Sequence, residues 1–120
     1  MLQQTGFPSR RFNSRIESPE DVRVYWRCAG RDETSRVRDV SLGGLFVETP
    51  KPGSVGSTAK VEFLVQEGQI RAEAVVRHVK PGRGVGLKFT ALTDADRPHL
   101  VALMSRLRSS SRKHQTRSDV

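Results

Sequence analysis

Val22, Val24, Trp26 and Cys28 alternate with Arg23, Tyr25 and Arg27. A period of two puts one face of a strand in a core and the other in water. The pattern recurs along the chain. Thr34 to Ser41 and Leu45 to Glu48 read as extended segments, joined through Gly43-Gly44. Val61, Phe63 and Val65 alternate with Glu62, Leu64 and Gln66, and Ile70, Ala72, Ala74 and Val76 alternate with Arg71, Glu73 and Arg77, in a run reaching Val79. Val85, Leu87 and Phe89 complete the series. Turn residues separate the runs: Ala29-Gly30-Arg31-Asp32, the loop from Pro50 to Gly56, Glu67-Gly68, and Pro81-Gly82-Arg83-Gly84. The period changes after Thr93, where Leu100, Leu103, Met104 and Leu107 fall on one face of a helix. Asp94 or Asp96 can cap its start, and Pro98 is tolerable within its first turn. Six short strands and one helix predict a mainly all-β fold: a six-stranded antiparallel β-barrel with a C-terminal α-helix at one opening. Closure removes the edges that a small open sheet exposes.

A chain of 120 residues is expected to form one domain. Residues 1–9 read as a flexible lead-in, 10–108 as the domain, and 109–120 as a disordered basic tail. That tail is serine-rich, with no apolar residue before Val120. The net charge is +8, from 21 Lys and Arg against 13 Asp and Glu. Such an excess favours anionic partners. From Ser105 onward Asp119 is the one acid, so the end of the chain is strongly basic. The single cysteine, Cys28, excludes a disulfide within the chain and a cysteine-based zinc cluster. It reads as a small core residue, and Trp26 as core beside Val22 and Val24. His78, His99 and His114 are too widely spread to suggest a metal site. No nucleophile–base constellation stands out, so neither an enzyme nor a cofactor-dependent protein is expected. No apolar run approaches the roughly 18 to 20 residues of a membrane span, and residues 1–10 lack a secretion-type apolar stretch. The expected location is cytoplasmic.

Two short motifs carry the functional reading. Arg10-Arg11-Phe12-Asn13-Ser14-Arg15 contains Arg11-x-x-x-Arg15, and Asp39-Val40-Ser41-Leu42-Gly43-Gly44 contains Asp39-x-Ser41-x-x-Gly44. Guanidinium groups fork onto phosphate oxygens, or onto the O6 and N7 edge of guanine. A carboxylate accepts from the N–H groups on guanine's other edge. A serine hydroxyl donates or accepts beside it, and glycine permits close backbone approach. Each motif alone is common: the plainer readings are a solvated basic arm and an Asx-type turn between strands.

In this order, about 24 residues apart on a strand-rich pattern ending in a helix, the motifs resemble those of the PilZ family. Gly84-Val85-Gly86-Leu87-Lys88-Phe89 is similar to that family's glycine-rich last strand. The resemblance spans roughly Arg10 to Arg108 and implies a receptor for cyclic di-GMP. It implies that Arg11 and Arg15 clamp phosphate and guanine, that Asp39 and Ser41 read the base, and that Gly44 keeps the turn close to the ligand. Arg10, directly before the arginine motif, holds a position that in this family influences whether one ligand or a stacked pair is bound. A separate partner protein is then needed for output, in motility, exopolysaccharide or developmental control. Two alternatives remain open: an adaptor working through protein contacts without nucleotide, and a basic β-barrel binding nucleic acid. The second lacks interleaved surface aromatics for base stacking.

Overall fold

The computed structural model describes residues 16–18, 21–51 and 53–118, with side chains as far as Ser110. Seven strands and one helix appear in the order β1 (Ile16–Glu17), β2 (Arg23–Cys28), β3 (Arg31–Ser41), β4 (Gly44–Glu48), β5 (Thr58–Phe63), β6 (Arg71–Lys80), β7 (Gly84–Leu92) and α1 (Arg97–Ser118). Six strands close into an antiparallel barrel, each hydrogen-bonded to the next in the ring β3-β2-β5-β6-β7-β4 and back to β3. The six-stranded barrel with a C-terminal helix is therefore the observed fold. The two-residue β1 is an addition that no periodicity announces, laid antiparallel along β3.

The alternation does what the sequence implies. Val22, Val24, Trp26 and Cys28 point inward, with Val37, Val40, Leu45, Val47, Val61, Ile70, Val76, Val85 and Leu87. Leu100, Leu103, Met104 and Leu107 of α1 join this same core, so the helix closes the barrel with its apolar stripe. Leu100, Leu103 and Leu107 are wholly buried, each stabilising the fold by about 1.5–3 kcal/mol relative to exposure. The Trp26 indole N–H donates to Ser35 Oγ at 2.9 Å, and Ser35 Oγ donates to Glu33 Oε2 at 2.9 Å. Thr49 Oγ1 donates to the other oxygen of Glu33 at 3.0 Å. Among the described residues every buried side-chain nitrogen or oxygen has a partner, as a low-dielectric interior requires.

The helix start departs from expectation. Thr93, rather than Asp94 or Asp96, takes the capping role: its Oγ1 accepts from the Asp96 N–H at 3.2 Å, and its carbonyl accepts from the Arg97 N–H at 3.0 Å. Asp96 is buried and uses its carboxylate on the Arg71 backbone N–H at 2.9 Å, which pins the helix to β6. At the other end the helix runs to Ser118, along the segment read from the sequence as a basic tail. No glycine or proline follows Pro98 within it, and arginine, lysine and glutamine propagate a helix already nucleated on the core.

Two features generate predictions. The β2–β3 hairpin turns on two residues, Ala29 and Gly30, with φ of 53° and 78°. Two consecutive positive φ values mark a type I′ turn, which asparagine or glycine fits and alanine strains. Ala29→Gly is expected to stabilise the protein by about 0.5–1 kcal/mol, read as a thermal midpoint raised by roughly 2–5 °C. Second, Arg106 of α1 grips Glu67 of the β5–β6 loop with two guanidinium nitrogens, Nε donating to Oε2 and Nη2 donating to Oε1 at 3.1 Å. The hydrogen bonds from Arg106 hold the Glu67 carboxyl below the usual range. A depressed carboxylate pKa adds stability above its unfolded value that is lost as pH falls through the folded one. Glu67→Gln is expected to cost about 1–2 kcal/mol at neutral pH and to flatten the acid-side loss of stability below roughly pH 4.5, measured by urea titration across pH.

Candidate functional site

Asp39, Ser41 and Gly44 come together at the β3–β4 hairpin, while Arg10, Arg11 and Arg15 lie outside the described residues. The hairpin closes with Ser41 opposite Gly44, and Asp39 lies opposite Phe46. Val40 and Leu45, one step along, both belong to the core. Alternation therefore turns Asp39, Ser41, Gly44 and Phe46 to the outside of the barrel. Continuing across β7 and β6, Gly44 faces Lys88, and Phe46 faces Gly86, which faces His78. The three motif residues thus share one outer face with Lys88, Phe46 and His78.

Ser41 is buried, and its hydroxyl is engaged by its own turn. Oγ accepts from the Gly43 N–H at 3.1 Å and donates to the Gly44 carbonyl at 3.4 Å. A hydroxyl has one proton and two lone pairs. In this arrangement one lone pair remains, so Ser41 can meet a ligand as an acceptor. Gly44 is dictated by the barrel itself. A β-carbon there would stand 2.1 Å from the Leu87 carbonyl oxygen and 3.1 Å from Lys88 Cα. The missing side chain makes room for β7, a packing role beside the ligand approach that the sequence suggests.

The strand β1 connects this face to the arginine motif. Glu17 pairs with Asp39 and Ile16 with Val40. Arg15 is the residue before Ile16 in the sequence.

The sequence reading missed the surroundings of Phe46. This side chain is buried although it belongs to the outer face and not to the core cluster. The His78 ring stacks on it with centroids 6.0 Å apart, the Arg38 guanidinium carbon lies 5.9 Å from its centroid, and Lys80 Nζ lies 5.6 Å away. Two irregularities place these groups. β3 shifts register between Val37 and Asp39, and β6 between Val76 and His78. A bulge re-aims the side chains around it. The signal in the sequence was the pair Gly84 and Gly86: a β-carbon at Gly86 would meet His78 Cε1 at 2.3 Å, and one at Gly84 would meet a Phe46 ring carbon at 2.8 Å.

An open groove of about 910 Å³ lies elsewhere, over β2, β5, β6 and β7, lined by Tyr25, Arg27, Lys60, Arg71, Thr93 and Arg97 among others. It contains none of Asp39, Ser41 or Gly44. One wall is fixed by Asp32, which accepts from Arg27 Nε at 2.7 Å and from the Tyr25 hydroxyl at 2.7 Å. Hydrogen bonds from Arg27 and then Tyr25 hold the Asp32 carboxyl down to about 2. The Asp32 hydrogen bond in turn raises the Tyr25 hydroxyl and the Arg27 guanidinium. Arg27, Lys60, Arg71 and Arg97 share this groove with Glu62 and Glu73, so cations and carboxylates are interleaved across it. Among the described residues no group of histidine, cysteine, aspartate and glutamate could hold a metal, and no helix is long and apolar enough to cross a membrane.

Gly44→Ala is expected to cost roughly 3 kcal/mol or more, because a backbone carbonyl cannot move aside as a flexible side chain does. Chemical denaturation of this variant should show the loss with no nucleotide present.

Comparison with known proteins gives the same fold. The family model described as PilZ domain matches residues 9–106. Among solved structures, the chain is similar to the PilZ domain of YcgR from Escherichia coli with c-di-GMP, at a TM-score of 0.69 and 19% identity, over 89% of this chain and 98% of that one. It is similar to the Bacillus subtilis inhibitor of motility MotI/DgrA, at a TM-score of 0.69 and 18% identity, over 82% of this chain and 52% of that one. The K. pneumonia MrkH–c-di-GMP complex matches at a TM-score of 0.67 and 17% identity, over 88% of this chain and 54% of that one. The chain therefore spans about half the length of MotI and MrkH. No curated protein sequence matches.

Proposed function

Because the chain belongs to the PilZ family, we propose that it is a receptor for cyclic di-GMP, a binding module rather than an enzyme. The observation that carries this reading is the register of β1. Glu17 pairs with Asp39 and Ile16 with Val40, so the strand that directly follows the arginine motif in the sequence lies along the hairpin that bears Asp39 and Ser41. On this reading the arginine motif, which ends one residue before Ile16 in the sequence, would meet the ligand together with Asp39 and Ser41. The reading is supported by two similar structures, the PilZ domain of YcgR with c-di-GMP and the MrkH–c-di-GMP complex.

The chemistry divides between the arm and the hairpin. Arg11 and Arg15 offer forked donors to phosphate oxygens and to the O6 and N7 edge of guanine. Asp39 offers a carboxylate to the N–H edge of a base, and Ser41 offers its remaining lone pair. Arg10, one residue before the arginine motif, would stack on a second guanine if two ligands bind together. Gly44 supports the site through the barrel, by letting β4 lie against β7.

Output follows from what β1 touches. It pairs with β3 and also packs against α1. Ordering of residues 10–15 around the ligand would therefore be felt at the helix that closes the barrel, and a separate partner protein would read that change. The same register would serve an adaptor that uses protein contacts alone, and nucleotide titration separates the two.

Isothermal titration with cyclic di-GMP is the test. The intact chain is expected to bind at low-micromolar Kd or tighter. Arg11→Ala with Arg15→Ala should abolish binding, and Asp39→Ala should weaken it roughly tenfold or more, given about 1–3 kcal/mol for a well-placed base contact. The fitted stoichiometry reports on Arg10: two ligands per chain in the intact protein and one in Arg10→Ala. No heat with the intact chain would move the function to the adaptor.

A further inference from the structure

On the outer face beside Asp39, two cations lie over one aromatic ring. Arg38 and Lys80 approach Phe46 to 5.9 and 5.6 Å, from strands on opposite sides of it. Among the described residues neither forms an ion pair. Neighbouring cations on the same barrel are treated differently: Arg36, two residues before Arg38, pairs with Glu48 at 3.0 Å. Two like charges gathered on one ring repel each other, and a contact with a ring face is weaker than a charge-assisted hydrogen bond to an oxyanion. An anion arriving between them relieves the repulsion and offers the stronger bond.

The backbone is shaped to keep this cluster in place. The β3 bulge between Val37 and Asp39 sets Arg38 beside Phe46, and Gly84 and Gly86 leave β7 bare so that Phe46 and His78 lie flat on it. Phe46 is opposite Asp39 in register, so the cations stand next to the motif residues rather than across the barrel.

We infer that Arg38 and Lys80, seated on Phe46, form a second anion-binding locus that takes a phosphodiester oxygen of the nucleotide lying on the Asp39–Ser41 face. This deepens the receptor reading and rests on it. Arg38 and Lys80 are then affinity-determining residues outside both sequence motifs. The ring beneath them holds their charge at a fixed height above the barrel instead of letting it range through solvent.

The test is titration of cyclic di-GMP into the full chain and into an Arg38→Gln, Lys80→Gln double variant. Both positions are on the surface, so the melting temperature should stay the same. The double variant is expected to bind roughly tenfold to a hundredfold more weakly, and added salt should affect its affinity less than it affects that of the intact chain. A charge-keeping Arg38→Lys, Lys80→Arg variant should retain most of the affinity. Equal affinity in the glutamine variant overturns the inference, as does an equal loss in the charge-keeping variant, which would assign the effect to packing. Inorganic phosphate as the sole probe separates the two anion sources. If phosphate binding depends on Arg38 and Lys80 while nucleotide affinity does not, the locus serves a free anion and the inference falls. The receptor reading fails separately, when the intact chain shows no nucleotide binding. It survives when binding is lost with Arg11→Ala and Arg15→Ala but indifferent to Arg38 and Lys80.

Discussion

The eleven residues of β3 hydrogen-bond to three other strands. Its first half pairs with β2, its second half with β4 on one side and β1 on the other. A strand of ordinary length, about five or six residues, could not serve all three. Without it the sheet would be open between β2 and β4, with two long edges exposed. The bulge after Val37 lets one strand turn from the first partnership to the second, since an extra residue bends and twists a strand. Everything attributed to the site follows from that turn: the outward Asp39, the hairpin at Ser41, the approach of β1, and the placement of Arg38.

The same economy explains why the glycines of this face are where they are. β4 and β7 lie so close that a β-carbon on Gly44 would collide with the Leu87 carbonyl, and one on Gly84 with the Val47 carbonyl, at 2.0 Å. The two strands therefore exclude side chains from each other at both ends of their pairing. Phe46 sits between these points and fills the space that the glycines leave. An aromatic ring buried on the outside of a barrel is held there by neighbours that are also polar, His78, Arg38 and Lys80. Burial of Phe46 and display of charge are in this way one structural fact.

The alternating runs made the six barrel strands legible in the sequence, because burial of one face imposes a period that composition reveals. Trp26 reads correctly as core for the same reason. What did not show was anything set by partners rather than by period. β1 has two residues, too few for a pattern, and exists because β3 offers it a ladder. Thr93 was passed over for Asp94 and Asp96, since the sequence cannot tell that β6 would claim Asp96 for the Arg71 N–H. The hairpin residues Asp39, Ser41 and Gly44 were found as a motif, yet the reason for Gly44 lay in a strand 43 residues away. Arg38 and Lys80 looked like two cations among 21, because only a bulge and a register bring them to the same ring.

Charge on this protein is therefore not a uniform coat. Arg27 is neutralised by Asp32, Arg36 by Glu48 and Arg106 by Glu67, and each of these pairs joins different elements of the fold. The groove over β2, β5 and β6 interleaves both signs. Lys60 stands opposite Glu73 and Arg71 opposite Glu62 in register, an arrangement that lets neighbouring potentials cancel. Around Phe46, Arg38 and Lys80 form no ion pair among the described residues. A basic protein attracts anions everywhere at long range, but salt screens that pull within about 10 Å. Retention at short range then depends on where cations lack carboxylates and are held still. Arg38 and Lys80 over Phe46 are held in this way among the described residues, and that gives the proposed ligand a reason to settle on this face.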